Sequence, residues 1–174
     1  HFHQDFSLGV ANTLLSLAEG VEVVHSTILG IGERSGNAPT EDIVMALLTM
    51  YGIDLGIKTE KLYPLAKLVE DLSRVKVPTN KSIVGDMLYQ VESGIIANWF
   101  KNCGDEYLTE LFPMRPELVG QPKADVVMGK GSGIDSVNIW LEKVGIKATE
   151  EEALSILAEV KATGTKNKKL LTIE

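Results

Sequence analysis

Two stretches decide the fold: HFHQDFSLGVAN at residues 1–12 and GIGERSGNAPTED at residues 30–42. In the first, His1 and His3 are separated by one residue, and alternate side chains of an extended strand share a face. Both imidazoles can therefore reach one cation. In the second, a glycine-rich loop presents Asn37, whose amide oxygen is a neutral donor. Two imidazole nitrogens with oxygen donors suit a divalent metal such as Mg, Mn or Zn.

The segments around these stretches alternate between helix and strand patterns. Residues 8–19 have apolar side chains at helical spacing, and Gly20 follows as the helix end. Residues 21–29 are β-branched and largely apolar, which predicts a strand buried on both faces. Thr40 then offers a capping hydroxyl to the next helix, with acids in its first turn. This order predicts α/β organisation and places both stretches at the carboxyl end of a parallel sheet.

The rest of the chain has mostly helical patterns. We expect helices over residues 59–72, 83–100, 136–144 and 149–163, a loop over 113–122 and an extended piece over 125–128. We divide the chain at residues 1–57, 58–112 and 113–174, as a barrel portion, a helical segment, and a linker with a small α/β subdomain.

Composition limits the classes of partner. The net charge of −7 argues against a nucleic-acid surface, which needs a basic patch. No apolar run approaches the roughly 20 residues of a membrane span, so we expect no membrane partner. The single cysteine, Cys103, forms no intrachain disulfide and fits a reducing, cytoplasmic compartment. We interpret Cys103 as structural.

Each candidate site residue also has a plainer interpretation. The His1/His3 pair could be an exposed terminal pair or the remainder of an affinity tag. Asp5 could orient an imidazole beside the metal, or cap the following helix. Alternation puts Thr27 on the same strand face as His25, where it either lines the pocket or is structural.

The glycine-rich loop has two features of its own. Its glycines let backbone approach a ligand closely, so we expect Gly36 to contact substrate, although a tight turn alone would also require glycine. Glu33 and Arg34 are costly in such a loop unless paired, which favours an internal ion pair.

The combination is more specific than its parts. HFHQDFSLGVAN at 1–12 followed by HSTILGIGERSGNAPTEDIVMAL at 25–47 resembles the late-barrel signature of the pyruvate carboxyltransferase or HMG-CoA-lyase-like superfamily of metal-dependent enzymes. NKSIVGDMLYQVESGI at 80–95 and ELFPMRPELVGQPKADVVMGKGSG at 110–133 resemble the post-barrel helices and linker of its synthase branch, the 2-isopropylmalate, homocitrate and citramalate synthases.

The resemblance implies the last strands of a TIM barrel, followed by a mostly helical post-barrel region. It implies that His1, His3 and Asn37 are three protein ligands of a divalent metal. An early aspartate ligand and a neighbouring arginine have no counterpart here, and a full barrel takes about 250 residues. We therefore expect this polypeptide alone to be inactive. The resemblance also implies a homodimer that uses acetyl-CoA, or another acyl-CoA, and a 2-oxo acid.

Two details bear on the reaction. The lyase branch carries a reactive cysteine in the glycine loop, whereas GIGERSGN has none, which favours a synthase. Synthases usually have an HSGIH-like motif in the post-barrel helices, and this chain has ESGII at residues 92–96. Glu92 stands where a histidine would do acid–base work, so we take Glu92 as the candidate catalytic residue.

Three hypotheses follow. The first is a metal-dependent acyltransferase that condenses acetyl-CoA with a 2-oxo acid, present here as an incomplete chain. The second is an HMG-CoA-lyase-like carbon–carbon lyase. The third is a non-catalytic fragment or subunit that completes a barrel supplied by another chain.

Overall fold

The computed structural model describes residues 1–171, which form two compact units. The first unit contains His1–Leu88 and Pro116–Pro122, and the second contains Tyr89–Arg115 and the described residues from Lys123. Residues 172–174, the end of the predicted third segment, lie outside the described residues. This grouping differs from our division of the sequence at residues 57 and 112.

Packing explains why the first unit extends past residue 57. Helix α3, Leu62–Ser73, packs on a short 3-10 turn at Ile28–Gly30. The Gln121 side-chain nitrogen donates to the Gly85 carbonyl oxygen at 2.9 Å. The first contact joins α3 to the turn before the glycine-rich loop, and the second joins residues 116–122 to the segment that follows α3.

The first two helices confirm the predicted helical segments. Helix α1 is Gly9–Ala18 and helix α2 is Thr40–Tyr51, which ends at Gly52 with φ of 67°. Their apolar faces meet in a core of six residues: Val10, Leu14, Leu17, Ala38, Ile43 and Leu47. The predicted capping role of Thr40 is wrong, because Pro39 is the extended residue before the helix. The Thr40 hydroxyl instead donates to Ser26 Oγ at 2.8 Å.

The predicted buried strand at residues 21–29 is not formed. Val23 is 73% exposed, and Ile28–Gly30 is a 3-10 turn. Within residues 1–171 the only pairing of this segment is a single parallel bridge between Thr27 and Pro39. A strand needs a hydrogen-bonded neighbour, and no described element lies alongside residues 21–26 as a strand.

The second unit is built on a two-stranded parallel sheet and three helices. Strand β1, Gln90–Val91, pairs with strand β2, Asp125–Val126, which confirms the extended piece predicted there. The helices are α4 (Gly94–Cys103), α5 (Ile134–Val144) and α6 (Glu150–Asn167). Val91, Ala97, Val126 and Ile139 form the core between sheet and helices. The fold is therefore mixed α/β with mostly helices.

The predicted helix over 83–100 is wrong in its first half. Gly85 sits in a tight turn, where an added Cβ would lie 2.6 Å from the Lys81 carbonyl oxygen. Strand β1 follows, and the helix begins only at Gly94. The predicted helices near 136–144 and 149–163 are confirmed as α5 and α6.

Helix α6 begins with a capping box. Thr149 Oγ1 accepts from the Glu152 backbone nitrogen, and the Glu152 carboxylate accepts from the Thr149 backbone nitrogen at 2.7 Å. These reciprocal bonds satisfy two amide groups that a helix start otherwise leaves unpaired. Across residues 1–171, no helix combines the length and apolarity that crossing a membrane requires.

Candidate metal centre

His3 and Asn37 are directly opposite each other in an antiparallel bridge. The flanking hydrogen bonds run from Gln4 N to Gly36 O at 2.9 Å and from Ala38 N to Phe2 O at 3.2 Å. This pattern makes His3 and Asn37 a non-hydrogen-bonded pair, the class whose side chains lie closest together on one face. The bridge therefore brings the first sequence stretch and the glycine-rich loop to one place, as the sequence predicted.

The His3 ring is held in one orientation by the loop. Its Nδ1 lies 3.1 Å from the Gly36 carbonyl oxygen. A carbonyl oxygen only accepts, so Nδ1 carries the hydrogen and the neutral ring keeps a lone pair on Nε2. That Nε2 lies 3.2 Å from His1 Nε2, and the two rings meet edge to face. Two ring nitrogens thus converge on one point.

The Asn37 amide is the third candidate donor. Its Nδ2 donates to the Ile31 carbonyl oxygen at 3.2 Å, which fixes which end of the amide is oxygen. Asn37 Oδ1 is buried and has no hydrogen-bond partner among residues 1–171. An orphaned buried oxygen is costly unless a ligand satisfies it.

These donors fit a divalent cation. Two nitrogens bound to one tetrahedral zinc at about 2.0–2.1 Å are about 3.3 Å apart, close to the 3.2 Å between the two Nε2 atoms. No group of three or more His, Cys, Asp or Glu side chains within residues 1–171 is placed to hold a metal. The candidate set here is two imidazoles and one amide oxygen.

Gly36 holds the loop against the first stretch. Its φ is +81°, and an added Cβ would lie 2.0 Å from the Gly30 carbonyl oxygen. Its own carbonyl oxygen accepts from both Gln4 N and His3 Nδ1. In the contacts described here Gly36 orients His3, and its contact with substrate stays a prediction.

Asp5 is bound by Arg34 of the loop. The guanidinium Nε and one terminal nitrogen each lie 3.2 Å from a carboxylate oxygen, a bidentate pair. The hydrogen bond from Arg34 holds the pKa of Asp5 below its ordinary value. Arg34 therefore pairs with Asp5, where we expected Glu33. The ring-orienting contact on His3 comes from the Gly36 carbonyl, so a direct effect of Asp5 on an imidazole stays a prediction.

Thr27 and His25 lie near this bridge. The Thr27 hydroxyl donates to the Ile31 carbonyl oxygen at 2.8 Å and so closes the turn before the loop. The His25 ring centroid is 5.5 Å from that of His1. Substrate binding by Thr27 stays a prediction.

A cleft of about 370 Å³ opens beside Asn37. Its lining includes polar side chains from the first stretch, the loop and the later segment: Gln4, Ser7, Ser35, Asn37 and Lys81. The cleft can hold a small polar molecule against the candidate ligand Asn37.

Comparison with known proteins places part of the chain in a family. The HMGL-like family model matches residues 1–69. These residues belong to the HMGL-like family.

Several curated proteins match almost all of this chain. It is 45% identical, over 98% of its length, to a protein of Archaeoglobus fulgidus named provisionally as an (R)-citramalate synthase. It is 40% identical over 98% of its length to the 2-isopropylmalate synthase of Methanocaldococcus jannaschii, and 41% identical over all of it to homocitrate synthase 1 of Nostoc sp.. The chain spans 34%, 33% and 45% of the lengths of these relatives, respectively. The predicted resemblance to the superfamily and its synthase branch is confirmed.

Glu92 lies in the second unit, in the turn between β1 and α4. Its carboxylate Oε1 accepts from the Gly131 backbone nitrogen at 2.7 Å, and its carbonyl oxygen accepts from Ser136 Oγ at 3.2 Å. Glu92 thus anchors the glycine-rich turn before α5. Its predicted role in proton transfer is untested by these contacts.

Sequence reasoning missed the burial of Glu41 in the HMGL-like segment. The sequence indicated Glu41 only as an acid in the first turn of a helix, and the structure shows that it is 1% exposed. Val44 and Met45, three and four residues later, are also buried. Helical spacing therefore places Glu41 on the buried face of α2, and that spacing is the signal that identifies it.

Proposed function

We propose that this chain is the metal-site portion of an acyltransferase that condenses acetyl-CoA with a 2-oxo acid. The observation that carries the proposal is the His3–Asn37 bridge, which puts the two side chains on one face. His3 Nε2 lies 3.2 Å from His1 Nε2, and Asn37 Oδ1 has no hydrogen-bond partner within residues 1–171. The names of relatives that match nearly the whole chain support the reaction type.

In this proposal His1, His3 and Asn37 hold a Mg, Mn or Zn ion. When bound, the ion polarises the ketone of the 2-oxo acid and neutralises charge on its oxygen. Gly36 keeps His3 in the tautomer that presents Nε2. Thr27 and Gly36 contact the 2-oxo acid, and Asp5 supports the loop through Arg34.

The reaction forms one carbon–carbon bond. The acetyl methyl carbon loses a proton and attacks the ketone carbon, whose oxygen is then protonated. Water cleaves the thioester and releases coenzyme A with a free thiol. Glu92 is our candidate for a proton-transfer group, because a carboxylate can serve in acid–base steps.

The proposed substrates, oligomeric state and cellular compartment come from the same family resemblance. Acetyl-CoA and a 2-oxo acid are the proposed substrates, and a homodimer in the cytoplasm is the proposed form. The proposed active protein includes barrel strands beyond this chain, which supply the remaining metal ligand.

The test is thiol release by the full-length protein. It is incubated with acetyl-CoA and, separately, pyruvate, 2-oxoisovalerate and 2-oxoglutarate, and free thiol is followed with a chromogenic disulfide. We expect release with at least one 2-oxo acid, loss on chelation and recovery on adding Mn²⁺. Release that persists in the chelator, or none with any 2-oxo acid, contradicts the proposal. Metal-dependent cleavage of 3-hydroxy-3-methylglutaryl-CoA without condensation would instead identify a lyase.

A further inference from the structure

Glu41 is a buried charged side chain that the proposed chemistry does not use. It lies in the first turn of α2 and is 1% exposed. Burial raises the pKa of its carboxyl. Burying a carboxyl group costs free energy unless its partners compensate. The contacts of the Glu41 carboxylate therefore indicate which role it has in the structure.

One carboxylate oxygen supports a left-handed turn. Glu41 Oε2 accepts from the Leu29 backbone nitrogen at 3.1 Å. Leu29 has φ of 61°, a left-handed conformation that is unfavourable for a non-glycine residue. The hydrogen bond therefore stabilises a backbone conformation that leucine adopts poorly.

The residues after Leu29 hold Asn37 at two points. The Gly30 carbonyl oxygen accepts from Asn37 N at 2.8 Å. The Ile31 carbonyl oxygen accepts from Asn37 Nδ2 at 3.2 Å. The path of residues 29–31 thus sets both the backbone and the amide orientation of Asn37, and with them the position of Oδ1.

The second carboxylate oxygen faces Lys81. Glu41 Oε1 is buried and makes no hydrogen bond within the described part of the chain, and Lys81 Nζ lies 3.7 Å away, in ion-pair range. Lys81 also pairs with Asp42 at 3.2 Å, and Ser82 donates to Asp42 at 2.7 Å. The charge of Glu41 is thereby compensated by the segment that follows α3.

We propose that Glu41 is a positioning residue for Asn37. It acts through the Leu29 turn, and Lys81 keeps the carboxylate in place. The inference rests on the proposed function only in that Asn37 is taken as a metal ligand.

The test measures Mn²⁺ affinity of the full-length protein by titration calorimetry. Glu41→Ala removes the acceptor for Leu29 and should weaken Mn²⁺ binding about tenfold or more, as loss of a ligand-orienting partner does. Glu41→Gln keeps an oxygen acceptor at this position, so its Mn²⁺ affinity should stay within about threefold of that of wild type. Asp42→Ala is the matched control, because Asp42 also pairs with Lys81 but makes no hydrogen bond to the turn. The Mn²⁺ affinity of Asp42→Ala should also stay within about threefold of that of wild type.

A second substitution separates positioning from general loss of stability. Glycine adopts positive φ without cost, so Leu29→Gly in the Glu41→Ala background should restore at least about a third of the lost affinity. Equal affinity in wild type and Glu41→Ala overturns the inference while leaving the proposed function intact. An equal loss of Mn²⁺ affinity in Glu41→Gln and Glu41→Ala also overturns the inference. Failure of wild type to bind Mn²⁺ contradicts the proposed function itself.

Discussion

His3 and Asn37 form a non-hydrogen-bonded antiparallel pair, so an imidazole and an amide from distant parts of the chain share one face. Gly36 connects them a second time, because its carbonyl oxygen accepts from His3 Nδ1 at 3.1 Å. His3, Gly36 and Asn37 thus fix the position and the tautomer of the His3 ring and place the Asn37 amide on the same face. A change in this bridge should therefore alter metal binding as well as stability.

Gly36→Ala should damage the bridge severely. The new Cβ would meet the Gly30 carbonyl oxygen at a φ of +81°. Gly56→Ala is the matched control, since Gly56 also has positive φ, +69°, but open space around it. We expect Gly56→Ala to cost about 1–2 kcal/mol in the free energy of unfolding, and Gly36→Ala about 1–3 kcal/mol more. Urea unfolding measures both, and equal costs would show that the bridge tolerates a Cβ.

The Asp5–Arg34 pair should make stability depend on pH. Hydrogen bonding from Arg34 lowers the pKa of Asp5 from its ordinary 3.8. Because the pKa is lower in the folded state, the pair stabilises the folded state fully above pH 3.8. This contribution disappears as the pH falls through the folded-state pKa. Asp5→Asn should therefore lower the urea midpoint slightly at neutral pH, and the difference should vanish in acid.

Salt and a double-mutant cycle check the origin of that effect. Both side chains are substantially exposed, so the pair should be weak and screened by high salt. Arg34→Gln in the Asp5→Asn background should add little further loss. Fully additive effects would show that the two side chains do not interact in solution.

Glu92→Gln tests proton transfer separately from structure. A glutamine oxygen can still accept from Gly131 N, the hydrogen bond seen at 2.7 Å. We expect turnover of the full-length protein to fall at least about tenfold, within the range of acid–base contributions, with Mn²⁺ affinity unchanged. Glu92→Ala removes both charge and hydrogen bond, and should also lower the urea midpoint. Wild-type turnover in Glu92→Gln would leave Glu92 with its structural contact alone.

The parts of the fold predicted correctly are those that depend on local sequence. Gly145 ends α5 in a left-handed conformation, and Thr149 caps α6 through Glu152, as the spacing of these residues indicates. The incorrect predictions depend on distant partners. Residues 21–26 have no neighbouring strand among the described residues, and Gln90–Val91 becomes a strand because it pairs with Asp125–Val126.

The candidate site divides in the same way. The H-x-H spacing and the glycine-rich loop predicted His1, His3 and Asn37 as candidate ligands, and the bridge pairs His3 with Asn37. Metal binding by these residues stays a prediction. The pairing of Arg34 with Asp5, and the burial of Glu41, depend on which loop atoms come together in three dimensions. Residue type and spacing alone leave several partners open for such charged side chains.

Calorimetric titration of the full-length protein with Mn²⁺ tests the central claim most directly. Wild type should bind one ion per chain, and His3→Ala should weaken that binding at least about a hundredfold, since it removes a ligand. His25→Ala is the control, because His25 is an exposed histidine whose ring lies 5.5 Å from that of His1. It should retain affinity within about tenfold of wild type. Unchanged affinity in His3→Ala would contradict the account, because the metal would then bind elsewhere.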